Sequence, residues 1–257
     1  TKVSPMIEVQ DFRAMGEALG DAGAVLRTNA ASAGLNAAVP TCPGWSVADL
    51  VAHTGQVHRW AADRLEHRPE RPEAEVLAEA ALVPDLLGWL DDGLVDLLNV
   101  LATTPADAEG EFFLPGAPAM RDAWLRRMVH ETSVHALDAM AARLGREVAA
   151  SEVWLAPGLA ADGVDEFLTG FWVRDAPLRA TPTRRVRMDA TDAGRSWLLS
   201  IAGDRAAVTR VGADEPADAT VSGTARELYL GVWNRGGGAT STDPGWWDAW
   251  RAHVRVL

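Results

Sequence analysis

The stretch that most constrains this chain is Trp124 to Asp138 (WLRRMVHETSVHALD), a helical run with polar residues where a core helix should be apolar. Each residue of an α-helix advances about 100°, so Arg127, Glu131, His135 and Asp138, at steps of four, four and three, share one stripe. A carboxylate and an imidazole one turn apart on one face can bind the same metal ion. The spacing is not that of the zincin motif H-E-x-x-H. Val134 stands where its second histidine would be, and His130 lies about 140° round the helix from His135. The pair is therefore Glu131 with His135, and E-x-x-x-H alone describes an exposed Glu–His helix pair equally well. A metal site needs a third ligand from elsewhere in the chain.

The rest of the composition sets broad bounds. A length of 257 residues allows one large domain or two, and 48% hydrophobic residues can bury a substantial core. No run of eighteen or more apolar residues occurs, and Thr1 to Gln10 lacks the basic-then-apolar layout of a signal peptide, so a soluble cytoplasmic protein is expected. The single cysteine, Cys42, excludes an internal disulfide and a Cys-based zinc site, in keeping with a reducing compartment. Net charge is −12: residues 1–172 hold 26 acids and 12 bases, whereas residues 173–257 hold 10 acids and 12 bases. Nucleic acid is not an expected partner, because its footprint is clustered positive charge. Lys2 is the only lysine among 24 basic residues, an arginine bias that makes any single arginine weak evidence for a role.

Hydrophobic periodicity divides the chain into a helical part and a mixed part. Phe12, Met15, Leu19 and Leu26 predict a first helix from Val9 to about Leu35. Val39-Pro40-Thr41-Cys42-Pro43-Gly44-Trp45 stops it, and Ser46 to Asp49 resembles a capping box that starts a second helix over Val47 to Glu66. Leucines from Leu77 to Leu101 predict one long third helix over Glu73 to Leu101, bent near Pro84. The Pro- and Gly-rich segment Thr103 to Ala119 leads into the helix carrying the polar stripe, and a further helix is expected over Ser151 to Phe171. Beyond Trp172, residues 184–190, 197–201 and 206–211 read as antiparallel strands, with 219–222 a further candidate. Thr224 caps a helix through Trp233, and a last helix runs from Pro244 to about Val254. The expected fold is thus a four-helix bundle over residues 1–172, followed by a small α/β domain with an antiparallel sheet over residues 173–257.

Bundle interiors are where facing helices build metal sites. Of the six histidines, His67 beside a Pro-rich loop and His253 near the C-terminus read as solvated, leaving His53, His58, His130 and His135. His53 and His58 are five residues apart, so at most one of them shares a face with Glu131 and His135. Two histidines and one carboxylate would leave coordination positions open for water or substrate, as catalytic zinc requires. A hydrogen-bonded core network built from the same residues is the alternative.

Three motifs carry a family resemblance. They are Val39 to His53 (VPTCPGWSVADLVAH), Arg126 to Asp138 (RRMVHETSVHALD) and Leu228 to Arg235 (LYLGVWNR). In this order they resemble the mycothiol-dependent maleylpyruvate isomerase family of actinobacteria, which belongs to the DinB-like metalloproteins. The resemblance spans nearly the whole chain and is specific for the family, though not for the substrate. It implies a DinB-type four-helix bundle at the N-terminus, a C-terminal α/β domain similar to sterol-carrier-like folds, and zinc or another divalent metal held by His53, Glu131 and His135. It also implies a catalytic arginine at Arg235. This chain has Asn234 where the family often has Gly, and Thr242-Asp243 where Gly-Asp is usual.

The chemistry implied is thiol activation. A free thiol with a pKa near 8.5 is mostly protonated at neutral pH, and zinc coordination deprotonates it without a protein base. With mycothiol as cofactor or cosubstrate, the thiolate would add to the double bond of a maleylpyruvate-like substrate, allowing rotation and elimination as the trans isomer. Alternatively the adduct would be released, as in S-transfer to an electrophile. Arg235 would hold a substrate carboxylate or stabilise enolate charge. Two other readings stay open: a thiol-independent DinB-like metal hydrolase, and a non-enzymatic metal-containing binding or sensor protein. Asp138 is expected either to orient a ligand imidazole or to pair with Arg127. His130 is expected to point away from the stripe, His58 to line the pocket or cap a polar edge, and Cys42 to be a small structural residue. No membrane partner is expected, and a monomer is favoured.

Overall fold

Caps and breakers delimit the helices of the first half. In the computed structural model, which describes residues 11–114, 117, 119–175 and 178–254, helix α1 spans Phe12–Ala33, with Asp11 accepting from the Arg13 amide at its start. Thr1 to Gln10, including the Val9 start expected for α1, lie outside the described residues. Helix α2 (Val47–Leu65) opens on a full capping box: Ser46 Oγ accepts from the Asp49 amide, and Asp49 accepts from the Ser46 amide.

The single third helix expected from the leucine spacing is two helices, α3 (Glu73–Ala80) and α4 (Leu86–Thr103). Pro84 cannot donate a helical hydrogen bond, and Asp85 then caps a fresh start by accepting from the Gly88 amide at 3.0 Å. Helix α5 (Met120–Leu144) carries the polar stripe and ends on left-handed Gly145. The four long helices close a bundle: α1 packs on α5 and α4, and α2 packs on α4 and α5. No helix among the described residues is long and apolar enough to cross a membrane.

Among the described residues, 11–113, 117 and 119–147 form one compact unit, and 114 with 148–254 a second. Residues 148–172 thus lie in the second unit. The helix expected over Ser151 to Phe171 is broken. A 3-10 turn (Ala150–Glu152) precedes α6 (Pro157–Glu166), which starts at Pro157 because proline is tolerated only in a helix's first turn. A π-helical segment (Phe167–Trp172) and a short α7 (Val173–Asp175) follow. Five strands, β1 (Ala180–Ala190), β2 (Arg195–Gly203), β3 (Arg205–Val211), β4 (Ala219–Gly223) and β5 (Thr240–Ser241), make one sheet in the order β3-β2-β1-β4-β5.

The sheet is antiparallel except between β1 and β4, which are parallel, in register from Val186 opposite Ala219 to Ala190 opposite Gly223. Thr224 caps α8 (Ala225–Val232), and Asp243 caps α9 (Pro244–His253). Trp246, Trp247 and Trp250 of α9 are buried with Phe167, Phe171 and Trp233 in an aromatic core. The expected architecture, a helix bundle followed by a small domain built on a mainly antiparallel sheet, is the one observed.

Close approach of α2 to α4 depends on two glycines. A Cβ on Gly55 would lie 2.4 Å from the Trp89 ring, and one on Gly93 would lie 2.4 Å from Arg59 Nη1. Trp89 cannot give way easily: Arg59 stacks on its ring at 3.6 Å, and its indole nitrogen donates to Glu79 at 3.1 Å. Gly55→Ala is therefore expected to destabilise the protein by about 1–3 kcal/mol despite alanine's better helix propensity. Gly16→Ala, with nothing within 4 Å of the added carbon, should stabilise it by up to about 1 kcal/mol. Urea unfolding midpoints check both, and a stabilised Gly55→Ala protein would contradict this packing.

Candidate metal centre

The polar stripe of α5 is interior, with Arg127, His135 and Asp138 all buried and Glu131 partly so. Its members satisfy one another. Glu131 Oε2 accepts from Arg127 Nη2 at 3.1 Å, and Oε1 lies 3.1 Å from His135 Nε2. The far side of the same imidazole, Nδ1, lies 3.0 Å from Asp138 Oδ2. From α2, His53 brings Nε2 to 3.4 Å from Glu131 Oε1. The two imidazoles stand nearly perpendicular, with ring centroids 5.0 Å apart. One donor atom from each of His53, Glu131 and His135 falls within 4.8 Å of the others. Trp45, on the turn before α2, lies against both rings, 5.0 Å from His53 and 6.2 Å from His135 between centroids.

Electrostatics tie the cluster together. Burial would push the Glu131 carboxyl up, but the charge of His135, hydrogen bonds from His135 and His53, and Arg127 together hold it well below its ordinary range. Burial likewise opposes charge on His135, and the Glu131 and Asp138 carboxylates overcome it, raising its pKa to about 9. His58 behaves oppositely. It is fully buried, its Nε2 bonded to Thr132 Oγ1 at 2.8 Å, and desolvation lowers its pKa to about 3.

The structure thus brings together His53, Glu131 and His135. Arg127 reaches Glu131, and Asp138 reaches His135. His58 is placed on Thr132, one turn from the cluster on α2, and His130 is completely buried. His67 and His253 are exposed, as expected. Arg235 lies in the second unit just beyond α8, buried, with its Nη1 donating to the Trp233 carbonyl at 2.8 Å. Asn234 before it has φ +55°, a left-handed conformation that glycine adopts freely and asparagine tolerates better than most residues. Its side-chain nitrogen Nδ2 donates to the carbonyls of Arg251 and Val254.

Sequence analysis gave no individual role to Trp45 or Thr41 and read Cys42 as a small structural residue. Cys42 is buried, and its Sγ donates to Asp138 Oδ2 at 3.3 Å. The available signal was the Pro-bounded turn directly before the helix that carries His53.

Family models match both halves of the chain: the mycothiol maleylpyruvate isomerase N-terminal domain over residues 14–140, and the C-terminal domain of the same family over residues 158–253. The chain belongs to the mycothiol-dependent maleylpyruvate isomerase family. Among solved structures, a mycothiol-dependent maleylpyruvate isomerase superimposes with a TM-score of 0.65 at 16% identity, covering 93% of this chain and 95% of that one. A histidine-to-alanine mutant of a mycothiol-dependent maleylpyruvate isomerase superimposes with a TM-score of 0.63 at 14% identity, over the same shares of each chain. At these identities the likeness is one of fold. No curated protein matches the sequence significantly.

Within this isomerase family fold, the cluster suits a divalent ion on its own chemistry. Two imidazoles and a carboxylate are a borderline-soft donor set with positions left open, and the outer hydrogen bonds to Asp138 and Arg127 are those that orient ligands.

His58 supplies a test of the interior. Its folded pKa is depressed to about 3 from an ordinary 6.5, so the stability it contributes is present above pH 6.5 and lost as pH falls through that range. Between pH 7 and pH 5 the metal-free protein should lose roughly 2 kcal/mol more stability than a His58→Gln variant. Urea unfolding at the two pH values reads the difference, and equal slopes would contradict a neutral, desolvated His58.

Proposed function

We propose that this chain is a thiol-dependent isomerase of the cytoplasm. Mycothiol serves as its cofactor or cosubstrate, and His53, Glu131 and His135 hold a divalent metal, zinc by preference. The observation that carries this reading is the convergence of those three donors within 4.8 Å, in a chain matched to both domains of the mycothiol isomerase family. A thiol coordinated by such an ion is deprotonated at neutral pH, which gives a nucleophile able to add to an electrophilic double bond.

The chain's own residues do the rest. Glu131 offers an ionised carboxylate, because His135, His53 and Arg127 favour its charged form over burial. Asp138 sets the orientation of the His135 ring through Nδ1. Trp45 covers one side of both imidazoles and limits water there. Arg235, by its place in the Leu228–Arg235 motif, binds a substrate carboxylate or the charge that develops beside it, a task suited to a guanidinium's paired donors. The electrophile is a small unsaturated carboxylate, converted from its cis to its trans form. Transfer of the thiol to such an electrophile would use the same residues.

The test combines metal analysis with turnover of a cis-unsaturated dicarboxylate, with and without added mycothiol. Wild type should contain one divalent ion per chain and turn over only with the thiol. His53→Ala and Glu131→Ala should lose both metal and turnover. Arg235→Ala should keep the metal and lose about 10²–10³-fold in kcat/KM. Full metal occupancy in Glu131→Ala would contradict the ligand assignment, and undiminished turnover without thiol would contradict the thiol dependence.

A further inference from the structure

The Pro-bounded turn before α2 touches the candidate centre at two places, although none of its residues is among the three donors. Its backbone is self-bonded. The Val39 amide donates to the Trp45 carbonyl at 2.9 Å, the Cys42 amide to Val39 at 3.1 Å, and the Trp45 amide to Cys42 at 3.0 Å. Gly44 supplies the φ of +89° that the reversal requires. An Ala38–Ser46 bridge and a 2.8 Å bond from the Val47 amide to Ala37 join this turn to the first residues of α2. The turn is therefore fixed relative to His53 on the same helix.

From this turn two side chains reach across to α5. Thr41 Oγ1 donates to Asp138 Oδ1 at 2.5 Å, and Cys42 Sγ donates to Asp138 Oδ2 at 3.3 Å. Asp138 is completely buried, and both of its oxygens accept from this turn, Oδ1 from the hydroxyl and Oδ2 from the thiol. His135 Nδ1 also lies 3.0 Å from Oδ2. With Thr41 and Cys42 anchoring the carboxylate, its lone pair faces the imidazole and keeps the proton on Nδ1. Nε2 then points to Glu131 and His53, where a metal ion would take the place of the proton it shares with Glu131.

We propose that the Val39–Trp45 turn is a positioning element of this centre, in which the Cys42 thiol and Thr41 hydroxyl orient Asp138 and thereby present His135 Nε2 to the ion. The proposal rests on the reading of His135 as a metal ligand. Cys42 is a positioning residue: at 1% exposure it is out of reach of a thiol cofactor or substrate. Its usefulness lies in being a weak, soft donor. It shares Oδ2 with the imidazole at 3.3 Å without displacing it, while the shorter hydroxyl bond goes to the other oxygen.

Two readouts test this on the full chain. The first is zinc affinity, by competition with a chromogenic chelator. Cys42→Ala and Thr41→Val should each weaken zinc by about tenfold. Cys42→Ser, which keeps a donor, should stay within about threefold of wild type. A side chain that only fills space would give the reverse order, since a buried hydroxyl is a poorer substitute for a thiol than a methyl is. The second is the proton NMR signal of His135 Nδ1–H in the metal-free protein, expected downfield and protected from exchange in wild type and Cys42→Ser. It should be shifted and less protected in Cys42→Ala and Thr41→Val.

Unchanged zinc affinity and an unchanged Nδ1–H signal in those two variants would overturn the proposal, as would a Cys42→Ser protein no better than Cys42→Ala. If His135→Ala retained wild-type zinc affinity, the ligand reading itself would fall. The Nδ1–H signal would still decide whether the turn orients Asp138, so the two failures are distinguishable.

Discussion

The structure depends on keeping one carboxylate charged inside a helix bundle. Glu131 sits on α5, a helix buried around nearly its whole circumference, where a lone ionised group would cost several kcal/mol. It is tolerated because Arg127, one turn earlier, and His135, one turn later, bond to its two oxygens, and because α2 brings in His53. Each of these partners is polar, so each must be satisfied in turn. Asp138 answers His135, and Thr41 and Cys42 answer Asp138. The network therefore propagates outward from one residue and reaches the turn between α1 and α2.

The helices that carry this network meet closely. Under the proposed metal reading, the donor atoms would have to be held within a few tenths of an ångström, which calls for stiff supports. The α2–α4 contact supplies one, through Gly55, Gly93 and the stacked Trp89 and Arg59. His58 supplies another kind of support: buried and neutral, it bonds to Thr132 beside the carboxylate without adding charge. The second unit solves its own burial problem similarly, with the interior Asp165 accepting from Arg210 and from the Trp197 indole.

Much of this was legible in the sequence because it is local. Steps of four and three placed Arg127, Glu131, His135 and Asp138 on one stripe, and a capping box marked the start of α2. Periodicity alone could not choose between His53 and His58, since either could face α5; the family resemblance pointed to His53. The break between α3 and α4 was hidden because leucines continue at helical spacing across Pro84, and periodicity reports burial, not hydrogen bonding. The parallel pairing of β4 with β1 was hidden because strand patterns carry no direction. The bonds of Thr41 and Cys42 to Asp138 were hidden for a third reason: they span 97 and 96 residues, and no spacing rule reaches that far. Arg235 was named through its motif, and its own burial and its bond to Trp233 are features only the fold displays.

The central claim is that two imidazoles and a carboxylate hold an ion to which a thiol binds. X-ray absorption at the metal edge reads this directly from the purified protein. The account predicts two imidazole nitrogens at about 2.0–2.1 Å and a carboxylate oxygen at about 2.0–2.2 Å, with a sulfur at about 2.3 Å appearing only when mycothiol is added. A shell of oxygens without imidazole, or one into which added mycothiol brings no sulfur, would contradict it.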